Sequence, residues 1–320
     1  MFFCLSGFLI TWLIIKEETK HTKISLRAFY VRRCLRILPP AMTYVVILAV
    51  LKIFALPEYP IQSDWGAFIS STFFYKNFYY GNADEFGHFW TLALEEQFYL
   101  LWPISFILLK DNTKRLWFVT ALVLIAPFWR HFNTISYDVN LVNWKRTDFH
   151  LDSMLIGCML ALLMESRYHS LLKLNWLHSS TSFVVYSSII TVSFLDQMQQ
   201  LPGFIKVFLP SLRLVMVALM INSLITNKNN WVNRLLNTSP VTYIGLLSYS
   251  LYIWQQLFCY SYYTTWDRAF PANLIMTFLA AAASYHLIET PILRLRERRG
   301  YGRITTLAVK TDAVKLDQAS

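Results

Sequence analysis

The chain has 320 residues, 55% of them hydrophobic and 15% charged, with a formal net charge of +10. A soluble domain carries about 25% charged residues, so this composition excludes an ordinary water-soluble enzyme. The positive charge does not point to nucleic acid: Lys and Arg lie in short loops between apolar runs, with no separate soluble domain to present them.

Apolar residues gather in runs of roughly 15 to 22, the form of a polytopic helical membrane protein, because lipid offers the backbone no partner outside its own helix. The fold predicted is an all-α transmembrane bundle of about nine spans. They are placed near 1–15, 41–57, 90–109, 116–130, 148–164, 181–196, 204–225, 241–261 and 271–289.

The first run opens as FFCLSGFLIT. Before the second, residues 29–40 read FYVRRCLRILPP. Arg33 and Arg36 are three apart and share a helical face, with Arg32 adjacent. Such a cluster can hold phosphates through bidentate hydrogen bonds, or it can simply anchor a cytoplasmic helix end. Pro39 and Pro40 are expected to start the second span.

The third run, 88–103, reads HFWTLALEEQFYLLWP. Glu95 and Glu96 sit inside it, where an unpaired charge costs several kcal/mol and so must face a cavity or a partner. His88, Thr91 and Glu95 fall on one face of a continuous helix. The alternative is packing against an arginine of another helix. The fifth run is preceded by RTDFHLDSMLIG (146–157), in which Asp148 and Asp152 are expected on one helical face and Arg146 and His150 on another. This cluster can line a site or form a solvated helix start. The eighth run contains GLLSYSLYIWQQ (245–256), with hydroxyls that suit helix packing. The ninth ends in SYHLIETP (284–291), which sets His286 and Glu289 at i and i+3.

Charge tests the span count independently. Loops 16–36, 110–115, 165–180, 226–240 and the stretch from 290 hold 21 Lys and Arg, whereas 58–89, 130–147, 197–203 and 262–270 hold 5. That asymmetry supports nine spans with the basic loops and the C-terminus in the cytoplasm of an inner (plasma) membrane protein. Residues 1–293 read as one membrane domain and 294–320 as a basic cytoplasmic tail. Cys4, Cys34, Cys158 and Cys259 show no metal-ligand spacing and read as small buried hydrophobes.

Taken in order, FFCLSGFLIT, FYVRRCLRILP, HFWTLALEEQFYLLWP, RTDFHLDSMLIG, IGLLSYSLYIW and IETP resemble the motifs of the acyltransferase family 3 membrane proteins, which include O-antigen and exopolysaccharide O-acetyltransferases. The resemblance runs from residue 2 to about 291. It implies a bundle of about ten spans, acetyl-CoA or another acyl-CoA as cytoplasmic donor, no metal, and a hydroxyl of a cell-envelope or secreted glycan as acceptor. It assigns Arg33 and Arg36 to donor binding and carries over Ser6, His88, Glu95 and Glu96 as motif positions; His150 and Asp152 join the catalytic candidates.

Three departures stand out. The family's first span, with its essential histidine, precedes the Phe-Phe-x-x-Ser-Gly-Phe motif, which here follows Met1 directly. His150 stands where arginine is usual, and Gln255 where a Trp-His pair is common. Weak activity of this chain alone is therefore expected, with His88 the best substitute base. A transporter or flippase is the competing reading, since intramembrane carboxylates and arginines also serve transport.

Overall fold

The computed structural model describes residues 2–21, 24–54, 61–137, 145–172, 188, 191, 203–226, 231–259 and 269–301. The described residues are helical, with no strand among them. The principal helices are α1 (Phe2–His21), α2 (Leu26–Ile53), α3 (Trp65–Thr72), α4 (Phe89–Leu108), α5 (Asn112–Tyr137), α6 (Leu151–Met164), α7 (Gly203–Thr226), α8 (Trp231–Leu236), α9 (Ser239–Cys259), α10 (Ala272–Ser284) and α11 (Thr290–Arg298). A π-helical turn, Tyr285–Glu289, joins α10 to α11. The expected span at 181–196 and the tail beyond 301 lie outside the described residues, apart from positions 188 and 191.

Two helical segments, Leu26–Ile53 and Phe208–Thr226, are long and apolar enough by themselves to cross a membrane. Other helices reach crossing length but carry polar groups within the apolar run, as α4 does with Glu95, Glu96 and Gln97.

Three sequence expectations change. Pro39 and Pro40 do not open a helix; α2 runs through them, so Arg32, Arg33 and Arg36 stand on the same 28-residue helix as the apolar segment. Hydroxyls also reach carbonyls beside the prolines: Tyr249 donates to the Ile37 carbonyl at 2.8 Å and Thr43 to that of Pro39 at 2.8 Å. Next, α5 extends past 130, so Arg130 and His131 are helical rather than loop residues. Finally, α6 begins at Leu151 after a 3₁₀ turn over Thr147–Phe149, so Asp148 and Asp152 do not share a continuous helix, nor do Arg146 and His150. Cys4 and Cys158 are buried as expected, but Cys34 and Cys259 are exposed.

The chain forms two compact units. One contains residues 1–22 and 100–238. Its core is built on backbone contact between α1 and α6. A Cβ on Gly7 would stand 2.1 Å from the Met154 carbonyl oxygen, and one on Gly157 1.9 Å from that of Cys4. Small residues permit this close approach, which drives helix association where burial from water cannot. Two buried arginines here are paired with carboxylates. Arg115 grips Glu18 at 2.5 and 2.8 Å and also caps the end of α4 at the Phe106 carbonyl, 2.7 Å away. Arg130 forks onto both oxygens of Asp152 at 2.8 Å, both residues fully buried, and also donates to the Phe149 carbonyl at 2.7 Å.

The other unit contains residues 23–99 and 239–320. Its core is aromatic. Fully buried Tyr44 of α2 packs against Phe86, His88, Phe89 and Trp254 with ring centroids 5.5–5.9 Å apart.

Candidate active site

His88 precedes α4 by one residue, and two hydroxyls on its carbonyl fix its position. The Tyr252 hydroxyl of α9 donates to the His88 carbonyl at 2.5 Å, and the Thr91 hydroxyl donates to it at 3.0 Å. The Thr91 and Tyr252 hydroxyls also meet each other. The segment leading to His88 is held from α9, where Gln256 donates to the Asp84 carbonyl at 2.7 Å, and from α2, where Tyr44 donates to the Glu85 carbonyl at 2.8 Å.

The imidazole itself stands edge-to-face against Tyr44, Phe89 and Tyr252, at 5.6, 4.9 and 5.2 Å. Neither ring nitrogen completes a hydrogen bond of ordinary geometry among the described residues, although the Ile253 backbone lies close enough to favour the protonated ring. Burial outweighs that influence and pushes the imidazole below its usual pKa. The ring is neutral, and burial makes it a weaker base than a free imidazole. Trp254 Nε1 in the same aromatic cluster is likewise buried without a hydrogen-bond partner among the described residues. Buried polar atoms are normally satisfied, so such exceptions call for a reason.

A second polar group lies further along α4. Glu95 is 3% exposed, Glu96 is half-buried, and both act electrostatically on Arg33 of α2. The Arg33 guanidinium also lies over the rings of Tyr99 and Phe29, at 5.1 and 5.9 Å. The packing alternative for the carboxylates is thus partly realised through Arg33. Arg36 differs: it is exposed, and the acidic group that acts with it is Glu289. Glu289 is 6% exposed and takes a short hydrogen bond from Ser250. Sequence reasoning singled out the serine and the glutamate without pairing them. The π turn places Glu289, and π turns are frequent at functional positions.

The remaining candidates sit in the other unit. Asp152 is occupied by Arg130 and by a short hydrogen bond from Ser211. His150 is half-buried and tilts against Phe3, with centroids 6.4 Å apart. Asp148 accepts from Arg146 at 3.0 and 2.9 Å and from Trp129 Nε1 at 2.9 Å. Among the described residues no group of three metal-ligating side chains gathers.

The sequence is 30% identical over 320 residues to the O-acetyltransferase OatA of Staphylococcus aureus, covering 91% of this chain and 51% of that protein. It is 26% identical to the peptidoglycan O-acetyltransferase OatA of Listeria monocytogenes, covering 91% of this chain and 50% of the relative. A putative peptidoglycan O-acetyltransferase of Bacillus subtilis, YrhL, is 27% identical, at 95% and 51% coverage. The chain therefore spans about half the length of these curated relatives. No solved structure matches it significantly. The acyltransferase domain of family 3 matches residues 1–288, and on that match the chain belongs to this family of membrane acyltransferases.

Proposed function

We propose that this chain transfers an acetyl group from acetyl-CoA to a hydroxyl of a peptidoglycan-type cell-wall glycan. The observation that carries the reading is His88, a buried neutral imidazole whose ring nitrogens complete no hydrogen bond of ordinary geometry among the described residues, walled by aromatic rings that suit the apolar face of a sugar. His88 takes the proton as the acceptor oxygen attacks the thioester carbonyl. The C–S bond breaks, the CoA thiolate leaves, and the proton passes to it. Arg33 and Arg36 hold the donor's phosphates through charged hydrogen bonds. Glu95 and Glu96 orient Arg33 and keep its charge compensated where lipid would penalise it. Asp152 supports the helices through Arg130, and His150 is a secondary polar group.

The charge distribution of the loops supports nine spans in the inner (plasma) membrane, with the basic loops and C-terminus in the cytoplasm. The contact to Asp84 supports a positioning role for Gln256, which follows Gln255, the residue that stands where the family commonly has a Trp-His pair.

The test is acetyl transfer from labelled acetyl-CoA to peptidoglycan fragments by the chain in lipid vesicles. Arg36→Ala should weaken acetyl-CoA binding by about 1.5–3 kcal/mol. Arg36→Lys should recover only part, because lysine lacks the planar fork. Unchanged donor affinity in both variants would remove Arg36 from the donor site. A chain that binds neither acetyl-CoA nor glycan fragments would overturn the whole reading.

A further inference from the structure

Residues 61–88 fall in a stretch that sequence reading assigns to an outer loop. Its side chains are arranged in the opposite sense to a water-facing loop. Trp65, Ile69 and Phe73 recur every four residues along α3 and are 51%, 52% and 71% exposed. Phe78 and Tyr80 follow at 47% and 57%. The polar groups instead turn inward: Ser70, Ser71, Lys76 and Asn77 are buried.

The two ends of the segment are pinned together. Glu85 accepts from the backbone N–H groups of Gln62 and Ser63, each at 2.9 Å, and the Asp64 N–H donates to the Asn82 carbonyl at 3.0 Å. Between these ends, α3 runs eight residues, a rise of about 12 Å. It closes in a Schellman turn: Tyr75 N–H reaches the Ser70 carbonyl at 2.9 Å and Phe74 N–H that of Ser71 at 3.4 Å. Phe74 occupies the left-handed position, φ 55°, where glycine is usual.

Gln97 of α4 satisfies this turn, donating to the Phe74 carbonyl at 3.0 Å and to Asn77 Oδ1 at 2.9 Å. Gln97 lies eight residues inside α4 from Phe89, again a depth of about 12 Å. The tip of the segment is therefore level with the interior of a helix that crosses the membrane, and its irregular backbone is satisfied by protein as such depth demands.

We infer that residues 65–80 form a re-entrant hairpin whose exposed aromatic face contacts the acyl chains of the outer leaflet. The occupant is lipid because the face adjoins one already lipid-facing. Helix α2 packs on α3, and Val46, Val50, Ile53 and Phe54 on α2 are 46–71% exposed. Lys52 marks the water boundary of that face, reaching back to the Ile61 carbonyl at 3.1 Å with its ammonium 5.9 Å from the Trp65 ring centre. The inference rests on the membrane reading of α2 and α4 and is independent of any catalytic assignment.

The test uses single cysteines at Phe73, Phe78, Gln62 and Val46 in the full chain, with Cys34 and Cys259 changed to serine. Each is labelled with bimane in vesicles of phosphatidylcholine brominated on its acyl chains. Labels at Phe73 and Phe78 should be quenched by the brominated lipid as strongly as the label at Val46, and hardly by aqueous iodide. The Gln62 label should show the reverse. If the Phe73 and Phe78 labels follow Gln62 while Val46 stays lipid-quenched, the segment faces water and the inference is wrong. If they resist both quenchers and cross-link between chains, a second copy covers the face and the inference is equally wrong. Should Val46 also be iodide-quenched, the membrane reading itself fails. Labelling Tyr80 replaces either tip position if that variant does not insert.

Discussion

The two compact units differ in how they hold particular buried polar groups. In the unit of α1, α5, α6 and α7, Arg115 and Arg130 each meet a carboxylate through a two-pronged contact and add backbone carbonyls. In the other unit the His88 nitrogens, Trp254 Nε1 and Glu96 Oε1 make no hydrogen bond of good geometry among the described residues. Satisfied networks rigidify, whereas an unmet buried group costs stability and persists only if something else selects it. The Arg115 and Arg130 pairs thus stiffen the first unit, and under the proposed function the unmet groups of the second serve the chemistry.

Substitution should separate the two roles. The largest effect is expected at His88. His88→Gln should lower acetyl transfer by about 10²- to 10⁴-fold, the usual contribution of a general base, while leaving thermal unfolding nearly unchanged. A variant that unfolds early but turns over normally would reverse the comparison and make His88 a packing residue.

Asp152 should behave the other way. Asp152→Ala leaves Arg130 charged and unpaired in a fully buried setting, at a cost of about 3–5 kcal/mol. Replacing both partners, as Arg130→Met with Asp152→Leu, should recover most of that loss. Unfolding in detergent measures the stability and acetyl transfer the activity. Full stability with lost transfer would instead make Asp152 catalytic.

The backbone contact in the same unit gives a smaller effect. Gly157→Ala puts a methyl group where the Cys4 carbonyl oxygen already stands, so α1 and α6 must separate. The expected cost is about 1–3 kcal/mol, read from the same unfolding assay. No change would show that the two helices can separate freely.

The smallest effect lies at the mouth of the 61–88 segment. Burial raises the Asp64 carboxyl pKa, but hydrogen bonds from Tyr79, at 2.5 Å, and from the Ala67 N–H more than offset this, and the group titrates below its usual value. A depressed carboxyl stabilises the fold above its unfolded pKa, about 3.9, and that contribution disappears as pH falls through the lower folded value. Tyr79→Phe should therefore destabilise by about 1 kcal/mol at neutral pH, a difference that fades in acid. An effect independent of pH would separate Tyr79 from Asp64.

Much of this was legible in the sequence because periodicity and lipid chemistry leave few options. The run HFWTLALEEQFYLLWP predicted a helix over 90–109, and α4 spans Phe89–Leu108. What could not be read is long-range. Nothing near Asp152 announces Arg130, because the pairing joins two helices and Arg130 looked like a loop residue. Pro39 and Pro40 misled because local propensity favours a helix start, whereas α2 continues through both prolines. The outer segment misled for a related reason. Its short α3 and scattered aromatics resemble an ordinary polar loop until Gln97 fixes their depth.

The consecutive prolines of α2 also have a mechanical meaning. They remove the N–H groups that would have bonded the Leu35 and Arg36 carbonyls, so this is the one place in the helix where bending breaks no backbone hydrogen bond. Arg33 and Arg36 stand on one arm of that joint and Tyr44 on the other. A small swivel at the prolines would carry the arginines without disturbing the aromatic packing of Tyr44, and the tether from Tyr249 to Ile37 limits its travel. The helix is stiff along its apolar stretch and compliant beside the arginines proposed to hold the donor.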